Sequence, residues 1–110
     1  MKAKLTKKQV TSKLKALGSD WVVSSAGTSM SRKFLFRNYM AGFMFVTKVS
    51  VHAEVMGHHP EVLLTYKAVK ITLSTHDVSG LTAPDFSLAE KCNSLYTLST
   101  ENVVSVHNHY

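Results

Sequence analysis

A chain of 110 residues with 45% apolar content is one domain, 1–110, because a single core organises roughly 100 to 200 residues. Its single cysteine, Cys92, excludes an internal disulfide, and the paired cysteines of a zinc ribbon or redox motif are missing, so a reducing compartment is expected. The net charge of +6 raises nucleic acid as a partner, yet Lys2, Lys4, Lys7, Lys8 and Lys13 crowd into the first thirteen positions, which suits a solvated helix better than a groove-tracking stripe.

No apolar run approaches the ~20 residues of a membrane span, and the basic N-terminus lacks the apolar stretch of a secretory signal. The expectation is a cytoplasmic protein, with the nucleus left open, that binds neither membrane nor nucleic acid directly.

In chain order, Thr6 caps a first helix over about 6–17, with Val10, Leu14 and Leu17 on its apolar side and Gly18 as its stop. Trp21 to Val23 is a strand, 26–28 a turn, and Met30 to Phe36 its hairpin partner, with Met30, Arg32, Phe34 and Phe36 on one face. Asn38 caps a long second helix ending at Gly57. Its periodic stripe runs through Tyr39/Met40, Phe43, Val46, Val49/Ser50, Ala53 and Met56. Phe45, Val51 and Val55 fall outside that stripe, so the 38–57 helix is apolar on a second side and predicts a homodimer or homotetramer through it.

Two more strands follow, Val62 to Lys67 and Val69 to Thr75, both rich in branched and aromatic residues. In the later one Val69, Ile71, Leu73 and Thr75 alternate with Lys70, Thr72, Ser74 and His76, the pattern of a half-buried antiparallel strand. A polar turn over 77–83 leads to a last helix near 84–104, with Pro84 in its first turn and Cys92 as a buried residue. The order helix, two strands, helix, two strands, helix predicts the α+β class: a four-stranded antiparallel sheet with three helices on one face.

Of six histidines, His107 and His109 fall in a polar terminal segment, and His52 reads as an ordinary helix residue. His58 and His59 leave a rigid corner between Gly57 and Pro60, where adjacent side chains diverge. That spacing leaves the pair open between a site and a structural turn. A 3–4 hairpin would carry His76, at the end of strand four, to the start of strand three and so gather the three histidines. Three imidazoles could hold a catalytic zinc, but no HxH or HxxxH spacing occurs among His52, His58, His59 and His76, so no metal is expected. A nucleophile mechanism lacks a GxSxG elbow. General acid and base catalysis fits better, because imidazole titrates near neutrality and a dehydration needs one proton given and one taken.

The stretch Glu54-Val55-Met56-Gly57-His58-His59-Pro60, followed by Tyr66, His76 and Asp85, resembles the signature of the pterin-4a-carbinolamine dehydratases. The run 71–76 and Gly42-Phe43-Met44 are similar to that family too, and the similarity extends from about Leu5 to the final helix. The resemblance implies dehydration of 4a-hydroxytetrahydrobiopterin to quinonoid dihydrobiopterin, without metal or other cofactor, in recycling the cofactor of the aromatic amino-acid hydroxylases. It implies His58, His59 and His76 as the catalytic set with Asp85, whose other reading is a carboxylate favouring the first turn of the last helix. Glu54, Gly57, Pro60, Ser74, Thr75 and Asp77 would line the pterin. Two positions depart from the family: Val62 stands where an aromatic residue is common, and Gly57 where an acidic one often precedes the histidine pair. Some animal relatives also stabilise a homeodomain transcription factor dimer through the long helix, which makes a coactivator the alternative function.

Overall fold

The computed structural model describes residues 3–107, with side chains through 98. Helix α1 spans Lys7–Leu17, strand β1 Val22–Val23, β2 Met30–Leu35, α2 Tyr39–Met56, β3 Glu61–Thr65, β4 Ala68–Leu73 and α3 Ala83–His107. A 3-10 turn, His76–Val78, links β4 to α3. All neighbouring strands run antiparallel in the order β1-β2-β4-β3. The α+β class and the four-stranded antiparallel sheet are as the sequence predicts.

Cap chemistry sets the helix ends. Thr6 Oγ1 accepts from the Gln9 amide at 3.1 Å and the Thr6 amide donates to Gln9 Oε1 at 2.8 Å, a complete capping box for α1. Asn38 Oδ1 does the same work for α2, accepting from the Ala41 amide at 2.8 Å. The helices cover one face of the sheet, where Met30, Phe34, Val69, Ile71 and Leu73 meet Phe45, Val49, Ala53, Leu88 and Cys92. Each fully buried Phe contributes roughly 2–3 kcal/mol of transfer free energy. Lys33, Leu35, Leu63 and Lys70 on the opposite face are exposed.

The buried stripe of α2 differs from the expected one. Gly42, Phe45, Val49 and Ala53 face the core, whereas Tyr39, Met40, Phe43 and Met56 are exposed. Phe45 stacks at 4.8 Å from Phe34 and 5.2 Å from Phe36. Gly42 decides the side: a Cβ there would lie 3.2 Å from Leu64 Cδ1 and 3.3 Å from Val69 Cγ2, so the helix approaches β3 and β4 closely at this point. Where both faces are apolar, periodicity alone does not choose between them.

The second hairpin also turns earlier than expected. Tyr66 and Lys67 form a two-residue loop between β3 and β4, closed by the Thr65–Ala68 pair. Neither carries the Gly, Asn or Asp that marks such turns, and both belong to strand-forming or neutral types. His76 consequently does not close β4, which ends at Leu73; it opens the 3-10 turn. Helix α3 continues past 104 to His107, while His109 lies outside the described residues.

Arg32 sits on the core face of β2 among aromatics, its guanidinium 4.4 Å from the Phe34 ring centre. Asn93 of α3 makes that burial tenable, because its Oδ1 accepts from Arg32 Nη1 at 2.7 Å and from Trp21 Nε1 at 2.8 Å. Its Nδ2 donates to the Leu17 carbonyl at 3.3 Å, tying the end of α1 to the same point.

Next to this cluster, desolvation pushes the Cys92 thiol up from 9.0 to about 12, against the opposing pull of Arg32. A raised thiol pKa stabilises the fold below the unfolded value and loses that contribution as pH rises through the folded one. Stability is therefore expected to fall between pH 9 and pH 12, and Cys92 to resist a thiol reagent at pH 8 until denaturant is added. Urea titrations across that window, with thiol labelling at pH 8, measure both.

Candidate active site

The site begins at the end of α2. Gly57 adopts the left-handed conformation, φ 66° and ψ 29°. Its amide donates to the Glu54 carbonyl at 3.1 Å, and the His58 amide to the Ala53 carbonyl at 3.0 Å. These two bonds form a Schellman closure, which reverses the chain within two residues. The consequence is that the adjacent histidines part. His58 turns into the interior at 6% exposure, while the His59 side chain stays 65% exposed.

Each ring meets a carboxylate. His58 Nε2 lies 2.5 Å from Asp85 Oδ1, and Asp85 is completely buried. His59 Nε2 lies 2.6 Å from Glu54 Oε1, one turn back on α2 and in solvent. The exposed pair is screened and contributes little to stability, whereas the buried one stands on a built support. Asp85 Oδ2 accepts from Thr75 Oγ1 at 2.8 Å and from the Thr82 amide at 2.9 Å. Asp85 is also the third residue of α3, so its bond from Thr82 is the reciprocal half of a capping box. One carboxylate thus both caps the start of α3 and contacts the His58 ring.

His76 stands on the other side of Thr75. The Thr75–Gly80 bridge pins the 3-10 turn, and Ser79 closes it at φ 49°. His76, Ser74, Thr75 and Gly80 line a cleft of about 280 Å³ together with Thr28 and Ser29 from the β1–β2 turn. Because Glu61 pairs with Thr72, the chain entering β3 from Pro60 and the chain leaving β4 at Ser74 run side by side. The hairpin therefore does bring the His58 and His76 segments to one end of the sheet. Asp77 is exposed on the 3-10 turn. Among the described residues no three His, Cys, Asp or Glu side chains are grouped so as to hold a metal ion.

Two groups of residues escape the sequence reading. Thr82 is signalled by its own motif, Thr82-Ala83-Pro84-Asp85, the T-x-x-D of a helix start. Thr28 and Ser29 carry no such signal, since only the pairing of β1 with β2 delivers them to the cleft. Val62, in register with Ile71 on the helix side of the sheet, is 36% exposed.

The arrangement is thus a buried carboxylate-bound imidazole and, across Thr75, a polar cleft lined by His76, on an antiparallel sheet with one helical layer. Residues 3–95 match the family model described as pterin 4 alpha carbinolamine dehydratase. A protein of Mesorhizobium japonicum named for the pterin-4-alpha-carbinolamine dehydratases is 47% identical over 90 residues, covering 82% of this chain and 91% of its own length. One of Chelativorans, named likewise, is 40% identical over the same coverage. Among solved structures, a transcriptional coactivator/pterin dehydratase from Brucella melitensis superposes with a TM-score of 0.81 at 31% identity, covering 86% of this chain and 99% of its own. A pterin dehydratase-like protein identified as a RuBisCO assembly factor shares the fold, with a TM-score of 0.60 at 19% identity over 72% of this chain and 95% of that one. The chain belongs to the pterin-4a-carbinolamine dehydratase family and is a hydro-lyase.

Replacing Gly57 by Ala strains the left-handed position, with an expected loss of about 1 kcal/mol. The strain falls on the bond that sends His58 inward, so dehydratase activity is expected to drop along with the urea midpoint. A full-activity Gly57→Ala variant would separate the turn from the site.

Proposed function

We propose that this protein dehydrates 4a-hydroxytetrahydrobiopterin to quinonoid dihydrobiopterin by histidine acid and base catalysis, in recycling the pterin. The observation that carries the reading is the pair of successive imidazoles, each bound to its own carboxylate, one buried and one exposed. The two imidazoles offer proton-transfer groups of unlike accessibility. A protonated imidazole gives its proton to the 4a hydroxyl as the C4a–O bond breaks and water leaves. The N5 lone pair forms the C4a=N5 bond, and a neutral imidazole takes the N5 proton. His58, His59 and His76 form the catalytic set, and Asp85 acts by holding His58. Glu54, Gly57, Pro60, Ser74, Thr75 and Asp77 bound the pterin, the Ser74 and Thr75 contribution being supported by the cleft they share with His76. No resident metal takes part.

Among the described residues no helix is long and apolar enough to cross a membrane, and a cytoplasmic location is part of this reading. So is self-association. Tyr39, Met40, Phe43, Met44, Val51 and Val55 leave an apolar surface on α2, next to a groove that reaches Glu54 and His59. The same surface supports the second reading, a coactivator role through α2; the similar Brucella melitensis protein is itself a transcriptional coactivator/pterin dehydratase.

After chelator treatment the purified protein is expected to accelerate 4a-hydroxytetrahydropterin dehydration, and His76→Ala to slow it by on the order of 10²-fold. A rate equal to the spontaneous one would overturn the assignment, and loss on chelation would bring a metal back. Native mass spectrometry is expected to find a dimer or tetramer that Phe43→Glu dissociates; a monomeric parent protein would leave the α2 surface to a different partner.

A further inference from the structure

Thr82 is fully buried and has so far figured only through its backbone. Its hydroxyl lies 2.8 Å from Thr75 Oγ1 and 3.4 Å from Asp85 Oδ2. Which of the two hydroxyls donates follows from counting hydrogens. A threonine hydroxyl has one, and that of Thr75 goes to Asp85 Oδ2 at 2.8 Å. The single hydrogen of Thr82 then goes to Thr75 Oγ1 at 2.8 Å in preference to Asp85 Oδ2 at 3.4 Å, so Thr82 is the donor in the hydroxyl–hydroxyl contact. The result is a directed chain, Thr82 to Thr75 to Asp85, whose members polarise one another in a site closed to water. The Thr82 amide, at 2.9 Å from the same oxygen, is a second arm.

We propose that Thr82 is a positioning residue for His58, acting through Thr75 and Asp85. With Oδ2 held by these donors, the carboxylate keeps its plane and turns Oδ1 to His58 Nε2. An ionised carboxylate only accepts, so the ring's Nε2 is the donor in this contact, which selects the tautomer with its hydrogen there. Thr75 spends its one hydrogen here, which leaves its hydroxyl no hydrogen for a pterin in the cleft. The inference rests on the reading of His58 as part of the proton-transfer set.

Two variants and one spectrum test it. Thr82→Val keeps the shape and the amide but removes the hydroxyl, and Thr82→Ser restores a hydroxyl. Nitrogen-15 NMR of the His58 ring is expected to show the hydrogen on Nε2 in the parent protein and in Thr82→Ser, and a mixture of tautomers in Thr82→Val. In pterin dehydration Thr82→Val is expected to lower kcat about tenfold with KM within twofold, the effect of one lost hydrogen bond on the transition state. An unchanged tautomer and kcat in a folded Thr82→Val would overturn the proposal. So would a parent-protein spectrum with the hydrogen on Nδ1 and none on Nε2, which decides the matter even if the valine variant fails to fold. A parent protein that does not accelerate dehydration would refute the proposed activity alone, because the ring spectrum reports on positioning without it.

Discussion

His58 and Asp85 meet at 2.5 Å in the interior of a domain whose other ionisable side chains are almost all at its surface. Bringing an imidazole and a carboxylate out of water costs several kcal/mol per ion unless each is fully hydrogen-bonded, so the surroundings of the pair have to be built. Three elements end at this point to build them. The Schellman closure of α2 supplies His58, the segment after β4 supplies Thr75, and the start of α3 supplies Asp85 and Thr82. The antiparallel pairing of β3 with β4 makes the first two neighbours, and the bonds of Asp85 to Thr75 and to the Thr82 amide fix the third.

A second buried polar cluster forms at Asn93, about two turns further along α3 from Asp85. Arg32 and Trp21 both donate to one amide oxygen, and the amide nitrogen reaches back to Leu17. Along β2, Arg32 stands between Met30 at the site end and the aromatic layer of Phe34, Phe36, Phe45 and Tyr96, whose ring centres lie 4.8 to 6.1 Å apart. Polar anchor and rigid rings together pack the sheet against the helices.

Much of this was legible in the residues. Thr6, Asn38, Gly18 and Gly57 mark helix ends by capping chemistry that is local, and the structure honours each. Alternation in 69–75 assigned the buried face of β4 correctly, since a period of two leaves only two choices. What failed was decided by tertiary contacts. The core side of α2 depends on a close approach at Gly42, and the β3–β4 turn sits on two residues with no turn signature. For the candidate site the sequence singles out His58, His59, His76 and Asp85 but not their unequal burial, which follows from the direction the chain takes after Gly57. Thr82 carried its signal in full and was passed over as a loop residue.

The account depends on the claim that Asp85 serves His58 and is not merely a helix cap. Asp85→Asn keeps the size and can still accept from Thr75 and the Thr82 amide through its remaining oxygen, so the cap survives while the carboxylate partner of the ring is lost. The dehydration rate of this variant, compared with the parent protein at equal near-UV circular dichroism, is the direct test. The account predicts a native spectrum and a kcat reduced by on the order of 10²-fold; a native spectrum with an undiminished kcat would contradict it.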